Sequence, residues 1–325
     1  IAVIIPYFGT LPEYFRAWKL SVKQNKSIDF FLFTDDKQVE TEDNLIVKRC
    51  NYKEFITNLQ NSFEFEITCE KPYKLCDFRP SFGYVFAQDL KNYDFWGYCD
   101  MDLVFGNIRS FITDEILDNY ERILINGHFS LYKNNERMRT LYRDEGRYPE
   151  YNYKEAFTTN KACYFDEFRG MELKCIRNNI RTYIDYNMIV DLDPSRDKFF
   201  DKNGKQVLFA WDSGTLWSQT TDGFRKSLLY VHFQKRKMEV NIDSDKIKKF
   251  VILPENIRKN VDITQAMYKV SSGKFFKFSY YCKKFFKVAK DGNLINMCSS
   301  KKRQMDVLRY RKKLVRQSTD LLNPR

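Results

Sequence analysis

Trp96-Gly97-Tyr98-Cys99-Asp100-Met101-Asp102-Leu103-Val104-Phe105-Gly106 reads as an apolar strand that delivers two acids, one residue apart, before a second apolar run and a glycine. Side chains alternate along an extended chain, so Asp100 and Asp102 are expected to project to the same side and face one point. Converging carboxylates raise each other's pKa unless a cation lies between them, and hard oxygen ligands suit Mg²⁺ or Mn²⁺. Such an ion would in turn hold a diphosphate. A solvated acidic turn has the same two letters. The setting favours the metal, because the aromatic and aliphatic residues on both sides mark a buried strand end, and open α/β sheets place ligands at the carboxyl ends of their strands.

Working outward towards the N-terminus, Ala2-Val3-Ile4-Ile5-Pro6-Tyr7-Phe8-Gly9 is an apolar run closed by Pro and Gly, as a buried first strand entering a ligand-side loop would be. A helical pattern over Glu13–Gln24 and a second strand over Ile28–Thr34, ending in Asp35-Asp36, complete a βα unit of a parallel sheet. Asp35 is then a candidate for the nucleoside, or simply an acidic loop residue. A third strand is expected at Leu45–Lys48 and a helix at Tyr52–Leu59. Lys74, Asp77 and Arg79 are dense charges in an apolar, aromatic stretch, which also fits an internal salt-bridge cluster. Ser81–Leu90 reads as a helix leading into the D-x-D strand.

Beyond Gly106, helical segments are expected at Ser110–Asn119 and Met171–Asn179, and a strand at Ile123–Ile125 before Gly127-His128. Arg139–Tyr153 is mixed and aromatic, as a loop lying over a site would be. Asp166-Glu167 stands at a helix entrance, where two acids either serve chemistry or satisfy the helix dipole. Phe209–Trp217 carries a D-S-G hairpin turn, and a strand from Ser227 to Val231 runs into His232-Phe233-Gln234-Lys235-Arg236-Lys237. Imidazole there can complete a metal's ligand shell while Lys or Arg neutralises phosphate oxygens. Residues 240–262 read as a closing strand or linker, with Pro254 ending the ordered core.

The chain of 325 residues is 43% hydrophobic and 17% aromatic, which is globular composition, and no apolar run is long enough to span a bilayer as a helix. Eight cysteines without a CxxC pair suit a reducing cytoplasm, and no secretory signal opens the sequence. The net charge of +12 resides in one tail: residues 271–325 hold 15 Lys/Arg against 3 Asp, and the preceding 270 residues hold 40 of each sign. Wound as a helix, Lys274–Lys290 gathers Phe275, Phe278, Tyr281, Phe285 and Phe286 on one side and Lys277, Lys283, Lys284 and Lys287 on the other. That pattern suits a helix lying in an anionic membrane interface, or one packed on the body. Two domains are expected, 1–260 and a basic helical tail at 261–325.

The boxes Lys74–Pro80 (KLCDFRP), Trp96–Gly106, Gly127–Tyr132 (GHFSLY), Phe165–Glu167 (FDE) and His232–Met238 (HFQKRKM), after the N-terminal VIIPYFG strand, resemble bacterial nucleotide-sugar glycosyltransferases of the GT-A fold encoded in capsule and O-antigen loci. The likeness covers roughly residues 1–255. It implies an α/β, Rossmann-like mixed sheet flanked by helices, binding a nucleotide sugar, usually a UDP-sugar and with a galactose-type hexose among the candidates, with Mn²⁺ or Mg²⁺ on the D-x-D. Carried over, Asp100 would approach ribose and metal, with Asp102 and His232 also on the metal and Lys235 and Arg236 near the diphosphate. Lys74, Asp77 and Arg79 would lie beside the nucleotide, and Tyr7, Phe8 and Asp35 would line base and ribose. His128, Asp166 and Glu167 would meet the acceptor as catalytic residues, with one of the acidic pair as base. The implied acceptor is a lipid-linked oligosaccharide at the cytoplasmic face of the cell membrane, reached through the tail. Two rivals from other classes are a nucleic-acid binder, suggested by the basic tail, and a metal-dependent phosphotransferase. A nucleic-acid module needs no D-x-D at a strand end, so no nucleic-acid partner is expected. Two-metal phosphotransferases need more ligands than converge here.

Overall fold

The computed structural model describes residues 1–266, apart from 197, 202, 235, 243–245, 260 and 265, together with 294–317. Its centre is a seven-stranded mixed sheet in the order β3-β2-β1-β4-β7-β6-β8. The strands are β1 (Ala2–Pro6), β2 (Asp29–Thr34), β3 (Leu45–Arg49), β4 (Phe95–Cys99), a separate β5 (Leu103–Phe105), then β6 (Arg122–Asn126), β7 (Phe129–Lys133) and β8 (Thr182–Tyr183). β1 to β4 pair in parallel, whereas β4, β7 and β6 pair antiparallel. The parallel strands are near-continuous apolar runs because both their faces are covered. Phe55, Leu59, Phe78, Phe82 and Trp96 fill one side of the sheet. Trp18, Val22, Phe30, Phe105 and Phe129 fill the other. Strand order reverses between β1 and β4, and at such a switch point the loops leaving the carboxyl ends diverge to open a crevice.

The remaining strands are β9 (Ile189–Asp191), β10 (Val207–Asp212), β11 (Thr215–Thr220), β12 (Arg225–Ser227), β13 (Tyr230–His232), β14 (Glu239–Asn241), β15 (Lys249–Ile252) and β16 (Asn256–Arg258). They form a six-stranded sheet, β12-β11-β10-β15-β16-β14, and a three-stranded sheet, β5-β13-β9. The D-S-G hairpin joins β10 to β11, with Ser213 and Gly214 at φ 50° and 94°.

Several expectations are corrected. The D-x-D is not extended: β4 ends at Cys99, β5 begins at Leu103 in another sheet, and the chain bends at Met101-Asp102. The expected strand Ser227–Val231 is likewise divided between β12 and β13. The helix expected at Ser81–Leu90 shrinks to Phe82–Val85, pressed so close to the sheet that a Cβ on Gly83 would lie 2.2 Å from the Trp96 indole. In place of a helix over Ser110–Asn119, the chain makes one turn at Ile108–Ser110 and a short helix at Asp114–Asn119. Residues 240–262 supply three strands, and Pro254 sits in the turn between β15 and β16 while Ile263 and Ala266 still pack into that core.

Arg139–Tyr153 does not cover the crevice but receives the C-terminal helix, Leu294–Gln317. Arg303 of that helix donates to the carbonyls of Pro149 and Glu150, pairs with Glu155 at 2.6 Å, and lies 3.3 Å from the centre of the Tyr151 ring. Arg311 pairs with Glu172 at 2.5 Å. The body thus supplies counter-charges to this part of the tail. The amphipathic stretch 274–290 lies outside the described residues. No helix among the described residues is long and apolar enough to cross a membrane.

Candidate active site

The crevice has a volume of about 830 Å³. The bend after β4 turns Asp100 and Asp102 into it, and the three-stranded sheet supplies their neighbours. β5 runs antiparallel to β13 and sets Leu103 against His232, while β13 runs parallel to β9 and sets His232 against Asp191. The amide of Phe233 donates to the carbonyl of Asp102 at 2.9 Å, extending that ladder to the acid itself. His232 Nε2 therefore lies 3.3 Å from Asp102 Oδ1, and Nδ1 lies 2.7 Å from Asp191 Oδ1. The ligand atoms of Asp100, Asp102 and His232 are all within 4.8 Å of one another.

His128 stacks on His232, with ring centroids 4.0 Å apart, and its Nε2 meets the Tyr230 hydroxyl at 2.9 Å and the Asn126 amide at 3.1 Å. The two rings titrate in opposite directions. Burial, and then the neighbouring His232 charge, push His128 down to about 4. Burial works against a charge on His232 too, but the hydrogen bonds that its ring donates to Asp102 and Asp191 outweigh it and carry the group up to about 10. Without a metal, at neutral pH, His128 is neutral and His232 is a cation clasped by two carboxylates, so a metal bound at Nε2 would displace a proton.

Asp166 and Glu167 also face the crevice. Burial first, and then its partner's charge, hold the Asp166 carboxyl well above the usual range. Glu167 is raised as well by burial, but the Gly127 amide donates to its Oε1 at 2.8 Å and favours its ionised form. Both carboxyls are thus pushed towards their neutral forms, Asp166 the more strongly because the Gly127 amide opposes the effect at Glu167. A Cβ at Gly127 would stand 2.5 Å from Glu167 Oε1 and 2.9 Å from Asp166 Oδ2, so any other residue would displace the pair. Arg79 joins the two halves of the site. Its guanidinium donates to Asp100 by a short contact, reaches Asp166 Oδ2 at 3.4 Å, and donates to the Gly127 carbonyl at 2.6 Å.

The other residues singled out from the sequence are placed as follows. Tyr7 and Phe8 line the crevice. Asp35 lies outside the lining, where its carboxylate accepts the amide of Gly9 at 2.8 Å. Lys74 and Asp77 are buried beneath the site and joined at 2.7 Å, the internal-cluster alternative. Asp77 also accepts the amides of Cys163 and Phe165, at 2.8 and 2.9 Å. Arg236 points away, donating to the carbonyls of Pro254, Asp193 and Arg196. Lys235 lies outside the described residues. Sequence reading missed Asp191, Gln234, Tyr73 and Tyr164, all in the lining. Asp191 follows an apolar pair and precedes Leu192, the same strand-end signal that marked Asp100, so it was within reach.

The residues present fit a divalent cation. Two carboxylates and an imidazole suit Mn²⁺ or Mg²⁺. Asp191 on Nδ1 also leaves Nε2 aimed at the acids, the second carboxylate by which a metal-binding histidine is commonly oriented. His128, Asp191 and His232 form another close group, but there Asp191 already serves His232.

A family model described as "Family of unknown function (DUF6625)" matches residues 3–261. No curated protein matches the chain by sequence. Among solved structures, the galactosyltransferase LgtC in complex with donor and acceptor sugar analogues is similar at 10% identity over 59% of this chain and 76% of that one, with a TM-score of 0.31. The glycosyltransferase GlyE of Streptococcus pneumoniae TIGR4 is similar at 14% identity over 48% of this chain and 41% of its own, with a TM-score of 0.27.

Proposed function

We propose that this chain, which belongs to the DUF6625 family, is a metal-dependent glycosyltransferase that moves a hexose, galactose-type among the candidates, from a UDP-sugar to a saccharide hydroxyl. One juxtaposition supports it: the three ligand atoms of Asp100, Asp102 and His232 and the acid pair Asp166/Glu167 face one crevice, with Arg79 touching both groups. Asp100, Asp102 and His232 would hold Mn²⁺ or Mg²⁺, which would supply a Lewis acid for the departing diphosphate. Arg79 holds Asp100 and Asp166 in fixed relation and keeps positive charge beside both. Glu167, held by the Gly127 amide that favours its ionised form, is the member of the pair placed to take the proton of an attacking hydroxyl in an inverting transfer. His128, neutral and stacked, orients His232 and offers no charge. The test is UDP release from a panel of UDP-hexoses with Mn²⁺ and a saccharide acceptor. Release should be abolished by Asp102→Asn, and release untouched by that change would remove the metal from the reading.

The acceptor class follows from the tail, 261–325, proposed to hold the enzyme on an anionic membrane at the cytoplasmic face, where a lipid-linked oligosaccharide would lie. Arg303 and Arg311 are committed to the body, while Lys301, Lys302, Arg309, Lys312 and Lys313 are exposed on the C-terminal helix. Each such charge near an anionic surface contributes roughly 1 kcal/mol. Reversal of Lys301, Lys302, Lys312 and Lys313 to Glu should weaken flotation with phosphatidylserine vesicles, and unchanged flotation would contradict this placement.

A further inference from the structure

Lys74 and Asp77, set aside by the chemistry above, lead to a second surface. The Asp77 carboxylate holds the amides of Cys163 and Phe165, the residues on either side of Tyr164. Both flanking side chains are buried, at 1% and 0% exposure, whereas Tyr164 is 39% exposed and sits at φ 55°. A tyrosine rarely adopts that left-handed conformation, and strain of this kind persists only where the surroundings over-determine it. Here a buried carboxylate, neutralised by a buried lysine, turns one ring outward at the crevice mouth. Phe168 packs against that ring at 5.8 Å and the Arg169 guanidinium lies 5.2 Å from its centre. Tyr73, 55% exposed, lines the same crevice three residues before Cys76, another lining residue. Both tyrosines share the lining with the acid pair: Tyr164 is two residues from Asp166, and Tyr73 is six residues before Arg79, which touches both Asp166 and Asp100.

We infer that Tyr164 and Tyr73 form an aromatic shelf on which a pyranose ring of the acceptor stacks, next to the carboxylates that meet its reacting hydroxyl, with the Lys74–Asp77 pair as its positioning device. The inference rests on the glycosyltransferase reading for the identity of the ligand. A pyranose has a polar rim and an apolar C–H face, and an exposed phenol ring offers an apolar face with a polar tip at little entropic cost. Both rings are part of the crevice lining and remain exposed, so the shelf is offered there to a sugar ring and not to the diphosphate.

Saturation-transfer NMR on the full chain, with lactose, maltose and methyl β-D-galactopyranoside as probes, tests this, and calorimetry with UDP and Mn²⁺ runs beside it. At least one saccharide should show transfer to its ring C–H protons. Tyr164→Gly, which relieves the backbone and keeps the fold, should weaken that saccharide about tenfold, as should Tyr73→Ala, while Tyr164→Phe stays within about twofold. UDP affinity should hold within about twofold in all three variants. Saccharide binding unchanged by Tyr164→Gly, or no probe bound by the unaltered protein, overturns the inference. A fall in UDP affinity with saccharide binding intact also overturns it, because the shelf would then serve the base. Saccharide binding that depends on Tyr164 in a protein that binds no UDP would sink the donor reading and leave the shelf standing.

Discussion

Asp191→Asn in metal-free protein should lower both imidazoles, His232 more than His128, because Asp191 is hydrogen-bonded to the first and only near the second. The chain has two histidines, so a histidine-labelled sample with chelator present gives one resonance set for each. In the unaltered protein His232 should hold its proton up to about 10 and His128 should lose its own at about 4. Against an ordinary value of 6.5, the raised His232 corresponds to on the order of 4–5 kcal/mol of folding stability, present in full below pH 6.5 and lost as pH climbs to 10. His128 has the opposite sign: its depressed value destabilises the fold by roughly 3 kcal/mol as pH falls from 6.5 through 4. The joint contribution of these two groups is greatest near pH 6.5. Removing the Asp191 charge, 2.7 Å from Nδ1, should lower His232 by about 1–3 pH units, since Asp102 remains at 3.3 Å. His128, whose protonated form Asp191 also favours, should move down as well, by less than His232 because no hydrogen bond to Asp191 is lost there. The reasoning is refuted if His232 already titrates near 6.5 in the unaltered protein, or if Asp191→Asn leaves it where it was.

Gly127→Ala must displace two carboxylates that a Cβ would meet at 2.5 and 2.9 Å, so turnover should fall roughly a hundredfold while Mn²⁺–UDP affinity is little changed. Steady-state kinetics beside calorimetry reads both, and normal turnover would show the acid pair to be idle. Lys74→Met strands the Asp77 carboxylate in the core and should cost about 3–5 kcal/mol in urea unfolding; a loss under about 1 kcal/mol would show that Asp77 is otherwise neutralised. Arg303→Ala removes the pairing with Glu155 and two carbonyl contacts, so limited proteolysis should cut within 294–317 several times faster, with the body intact. Equal rates would mean that Arg303 is not what docks the helix.

The half of the fold made by local pattern was legible in the sequence. Continuous apolar runs at Ala2–Pro6 and Asp29–Thr34 with a helix between them have few alternatives to a parallel sheet, and the D-S-G turn fixed its hairpin. What failed was long-range. The D-x-D convergence was expected from strand alternation, yet it comes from a bend between two sheets, and the partner strand that makes His232 an Asp102 neighbour is 130 residues away. Asp191 carries the same strand-end signal as Asp100, but its partner is not legible locally, since only the β9–β13 pairing brings it to the imidazole. Lys74 and Asp77 looked like binding charges because sequence shows charge density but not whether an amide or a ligand satisfies it. The Arg236 guanidinium, next to His232 in its box, turns to backbone carbonyls because a neighbour two or four residues along a loop need not share a direction.

A crystal soaked with Mn²⁺ and UDP tests the central claim most directly. An ion bonded to Asp100, Asp102 and His232 Nε2 at about 2.0–2.3 Å, with the UDP phosphates on its open side, is the predicted result. Manganese density elsewhere in the crevice, or UDP seated with those three side chains still paired only to Arg79 and to one another, would contradict it.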